Sequence, residues 1–70
     1  SMKDYLVITY KNTADDVYEE KDLDCSKYTL RGHASVLIDK WSKASEKVYL
    51  IDHYNAISLE DVISIRVIKK

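Results

Sequence analysis

The chain has 70 residues, 46% of them hydrophobic and 33% charged, which bounds it to one domain with a single small core. Eleven basic residues face 12 acidic ones, a net charge of -1 that excludes a strongly basic nucleic-acid coat and a polyanionic tail. A single cysteine excludes an internal disulfide, one cysteine with two histidines is too few for a zinc finger, and one glycine with no proline excludes collagen-like and proline-rich classes.

Ser1 ahead of Met2 reads as a residue left by protease cleavage, so the domain is taken as residues 2–70. Asp4 to Lys11 is rich in aromatic and β-branched residues and reads as a strand. Asn12 to Asp15 has turn chemistry. Asp16 to Asp24 is acidic and sparsely apolar, and reads as a strand with a short helix as the competitor. Tyr28 and Leu30 alternate before Arg31-Gly32-His33, where the sole glycine suits a positive-φ turn. Val36 to Ile38 and Val48 to Ile51 read as two further strands joined by a polar loop, Asp39 to Lys47. Ser58-Leu59-Glu60-Asp61 resembles a capping box and leaves room for one 3₁₀ turn. The last run alternates, with Ile63, Ile65 and Val67 expected inside and Ser64 and Arg66 outside. Five strands with a single 3₁₀ turn before the last one predict an all-β fold, a small antiparallel barrel.

The stretch Tyr49-Leu50-Ile51, with Ile57 to Ile65 after it, resembles the ending of SH3-like barrels, where a short 3₁₀ turn leads into the final strand. It is also similar to small β-barrel proteins of phages and mobile elements in low-GC Gram-positive bacteria. The resemblance implies a five-stranded SH3-like barrel and a protein that inhibits or adapts a host protein. The acidic loop with paired aromatics and the late proline of peptide-binding SH3 domains have no counterpart here, so no site residue is carried over.

No run approaches the roughly 18 apolar residues of a membrane span, and unpaired Cys25 suits a reducing cytoplasm. Cys25 with His33 as a thiol–imidazole pair, or His33, Asp52 and His53 as metal ligands, lack the spacing that either chemistry demands. One glycine cannot build a phosphate-binding loop. The chain is therefore expected to be no enzyme and to carry neither cofactor nor metal.

Residues 1–24 hold three lysines against seven acids (net -4), and residues 25–70 hold eight basic against five acidic residues (net +3). Asp15, Asp16, Glu19, Glu20, Asp22 and Asp24 form an acidic run, read either as a solvated edge strand or as a stripe that docks on a basic surface. Trp41, between Lys40 and Lys43, either folds back over the core or anchors a partner. Apolar residues on both faces of several strands predict a homodimer or a tight complex with another protein. The expected function is thus a non-enzymatic protein-binding module with Lys40, Trp41 and Lys43 as one surface and Asp15, Asp16, Glu19 and Glu20 as a second. Two alternatives stand beside it. Six tyrosines with lysines would suit single-stranded nucleic acid, and exposed strands would suit a structural subunit of a homo-oligomer.

Overall fold

A computed structural model describes residues 1–44 and 46–70. The order of elements is β1 (Asp4–Tyr10), β2 (Asp15–Tyr18), a 3₁₀ turn (Glu20–Asp22), α1 (Leu30–Lys43), β3 (Val48–Leu50), β4 (Ala56–Ser58), a second 3₁₀ turn (Leu59–Asp61) and β5 (Val62–Lys69). The strands form two small open sheets, an antiparallel three-stranded one in the order β2–β1–β5 and the hairpin β3–β4. The expected all-β SH3-like barrel is thereby overturned. The protein is mixed α/β, its sheets do not close, and the 3₁₀ turn before β5 has a counterpart after β2.

The largest correction is α1, which occupies residues expected as a turn, a strand and a loop. Leu30, His33, Ala34, Leu37 and Trp41 recur at helical spacing, and the first four are buried. Thr29 caps the N-terminus by accepting a hydrogen bond from the Gly32 amide at 3.0 Å. Gly32 is helical, not the expected positive-φ turn. Its missing side chain lets the cap close, since a Cβ there would stand 3.2 Å from Tyr28 Cβ and 3.3 Å from Thr29 Oγ1. The helix ends at Ala44, which takes the left-handed conformation with φ 52°.

β1 is the central strand. Leu6 and Ile8 point to the helix and join Leu37 and Ile51 as the fully buried side chains of the core, each contributing about 1.5–3 kcal/mol by leaving water. Arg31 on the first turn of α1 ties the helix to β1 through two bonds to the Asp4 carboxylate, at 2.9 and 3.1 Å. β2 covers only the first part of the acidic run, and the 3₁₀ turn takes over at Glu20, so the expected strand and its helical competitor each hold part of the segment.

The register of β5 also differs from expectation. Ile8 faces Ile65 and Leu6 faces Val67, but the pairing shifts between Thr9 and Tyr10, so that Tyr10 faces Val62. Ile63 is the extra residue of a β-bulge and is 51% exposed, while Val62 takes its place in the core. Ile65 and Val67 do pack against the core.

Candidate protein-binding surface

Hairpin β3–β4 shows how three-residue strands divide their side chains. Val48 faces Ser58, Tyr49 faces Ile57 and Leu50 faces Ala56. Strand alternation sends Tyr49 and Ile57 into the core and turns Val48, Leu50, Ala56 and Ser58 outward. The connecting loop is organised by Asp52, whose Oδ1 accepts from the amides of Tyr54 (2.7 Å) and Asn55 (2.8 Å), while Ile51 N donates to Asn55 O at 3.0 Å. These bonds hold the Asp52 carboxyl below the usual carboxylate range, the Tyr54 amide contributing most. The result is a hydrogen-bonded tip that presents Tyr54 at 94% exposure, with Leu50 at 69% and Val48 at 53% on the strand behind it. A cleft of about 380 Å³, lined by Tyr28, Val36, Lys40, Leu50 and His53 among others, runs along its side.

Beneath this surface His33 is 5% exposed and bonded at both ring nitrogens, Nε2 to Asp24 O at 2.6 Å and Nδ1 to Tyr49 Oη at 2.7 Å. A carbonyl only accepts, so Nε2 carries the proton and, in the neutral ring, Nδ1 accepts from the tyrosine. The pair fastens β3 to α1 and to the segment after the first 3₁₀ turn. Burial pushes the Tyr49 hydroxyl up, which favours its role as donor. Cys25 Sγ approaches Glu20 O at 3.7 Å, so no thiol–imidazole bond forms with His33, and burial followed by the Glu20 and Asp24 carboxylates pushes the thiol up. A raised thiol is a poor nucleophile. Among the described residues no three His, Cys, Asp or Glu side chains converge as a metal site, and no helix is long and apolar enough to cross a membrane.

The residues singled out from the sequence fall in two groups, one on α1 and one on β2 and the segment after it. Trp41 sits on the last turns of α1, half-buried against the core, with its indole N–H donating to Val62 O at 3.2 Å. Lys40 pairs with Glu46 at 2.6 Å and Lys43 with Asp39 at 3.1 Å. The acidic run splits between faces. Asp15 accepts from Thr9 Oγ1 at 2.7 Å, whereas Asp16 accepts from the hydroxyls of Tyr10 (2.8 Å) and Tyr18 (3.3 Å). Burial first and the Asp16 carboxylate second push Tyr18 up to about 12, and the same causes raise Tyr10. Glu19 lies between Lys3 and Lys21 and closes a capping box with Asp22. Asp24 binds Ser26 and lies 3.3 Å from His53, its carboxyl held low chiefly by the Ser26 bonds. Glu20 is exposed. Much of the run is therefore engaged locally.

Leu50 and Val48 belong to the apolar run Val48 to Ile51, whose continuity was the signal that one of its faces must look outward. Nothing in the sequence sets Tyr54 apart from the other tyrosines. No protein-family model, no curated protein and no solved structure matches the chain.

Proposed function

We propose that the protein is a non-enzymatic binding module that docks another protein on the outward face of hairpin β3–β4. The carrying observation is the exposure of Leu50, Val48 and Tyr54 on one short, braced hairpin. Apolar side chains grouped in water mark interaction surfaces, and tyrosine supplies contact area with few rotatable bonds to freeze. The turn bonds of Asp52 fix the tip in advance, which lowers the cost of docking. A stacking platform for nucleic acid has less support, because the tyrosines are dispersed. Tyr10 and Tyr18 bind Asp16, Tyr49 is buried on His33, and Tyr5 lies under Lys70.

The test immobilises wild type, Leu50→Asp, Tyr54→Ala and the double reversal Glu19→Lys/Glu20→Lys against extract of the cells that carry the protein. A partner held by wild type should be weakened about thirtyfold by Leu50→Asp, the hot-spot scale of about 2 kcal/mol, and less by Tyr54→Ala. Retention by Leu50→Asp but loss with the glutamate reversal would move the working surface to the acidic run and overturn the proposal.

A further inference from the structure

β5 is an edge strand, since the three-stranded sheet runs β2–β1–β5 and β3–β4 forms a sheet of its own. Lys3 N donates to Lys70 O at 2.8 Å and Lys70 N to Lys3 O at 3.1 Å, so these two residues form a hydrogen-bonded pair. Antiparallel ladders alternate such pairs with pairs that exchange no bonds. Moving two residues at a time along the register makes Tyr5–Ile68, Val7–Arg66 and Thr9–Ser64 the bonded pairs. Ile65, Val67 and Lys69 are left with N–H and C=O groups directed away from β1, toward the open edge.

That edge has a closed end and an open one. At Val62 the carbonyl is taken by Trp41 Nε1, and the bulge at Ile63 breaks the register. From Ser64 onward neither device is present. The open end is also basic. Arg66, Lys69 and Lys70 follow one another with no acid from Val62 on, and Arg66 has no ion-pair partner among the described residues. Asp4, opposite Lys69 on β1, is shared between Lys69 at 3.2 Å and Arg31 at 2.9 Å.

A second copy of β5 is a poor occupant. Antiparallel self-pairing centred on Val67 uses the whole open edge but sets Arg66 of each copy diagonal to Arg66 and Lys70 of the other, a like-charge arrangement. Centring on Ile65 instead draws in the bulge and the carbonyl held by Trp41. Charge complementarity favours an acidic strand.

We infer that the open edge of β5 takes an extended acidic segment of another protein by strand addition. The outward groups of Ile65, Val67 and Lys69 supply the main-chain bonds, and Arg66, Lys69 and Lys70 select acidic side chains. This surface is separate from the face of β3–β4 and does not rest on the reading given there.

The probe is a short end-blocked peptide of alternating valine and glutamate, titrated into the full chain at low salt and followed by amide shifts and hydrogen exchange. The expected result is slowed exchange confined to the Ile65, Val67 and Lys69 amides. Binding should fall with salt, fall about tenfold with Arg66→Glu, and vanish when alternate peptide amides are N-methylated. Equal binding of the lysine-for-glutamate peptide overturns the inference, as do shifts centred on Val48 and Leu50 or no protection at β5. Concentration-dependent protection of the same amides without peptide also overturns it, because the edge would then belong to a second copy. Leu50→Asp should leave peptide binding unchanged, which separates failure here from failure of the hairpin reading.

Discussion

Val7 and Leu50 are both apolar residues on the faces of their sheets that do not carry the main core, yet their fates differ. Val7 is 3% exposed and Leu50 is 69% exposed. Val7 stands on a central strand, flanked by a paired strand on each side, with Val17 opposite on one and Arg66 on the other. Leu50 stands on a two-stranded hairpin opposite Ala56, which is too small to shelter it and has no strand beyond. Strand position, more than hydrophobicity, decides which apolar residue a small protein keeps for its own stability and which it leaves in water.

The strongest challenge to this division is a cut at the core that both sheets share. Leu37→Ala removes a fully buried side chain of that core and should cost about 2–5 kcal/mol. Urea denaturation reads it, and a loss below about 1 kcal/mol would mean that α1 does not join the two sheets. Tyr49→Phe keeps the ring and removes the donor to His33 Nδ1. Leaving that nitrogen unpaired should cost about 1–3 kcal/mol, seen as a lower melting temperature at neutral pH. An unchanged melt would contradict the bond as the fastening between hairpin and helix. The bulge sharpens the comparison within β5. Ile65→Ala should cost more than Ile63→Ala, and Ile63→Ala should stay within about 0.5 kcal/mol, as exposed substitutions do. Equal losses would mean that the bulge is placed one residue away.

The strands were legible where aromatic and β-branched residues cluster, in β1, β3 and β5, and so was the 3₁₀ turn at Leu59–Asp61. α1 was hidden for a physical reason. Its inward stripe uses His33 and Ala34, which carry little apolar signal, and Gly32, Val36 and Ile38 are weak helix formers. The triplet Val36 to Ile38 fits both periods when taken alone. Losing the helix also misplaced Trp41, which in a loop would be unsheltered but on α1 reaches the start of β5. The bulge at Ile63 was missed because Val62 and Ile63 are both apolar, so either one can begin the inward alternation that continues at Ile65. The split of Asp15 and Asp16 between faces follows from strand alternation. Which residues bind each acid depends on contacts no spacing reveals.

The outward face of β3–β4, proposed above as a docking surface, should contribute nothing to the chain's own fold. Its most direct test sets Val7→Ser beside Leu50→Ser in urea denaturation of the isolated chain. Val7→Ser should lose about 2 kcal/mol, from lost apolar burial, and Leu50→Ser should stay within about 0.5 kcal/mol of wild type. A loss at Leu50 as large as the loss at Val7 would show that this face belongs to the fold, and the account would fail.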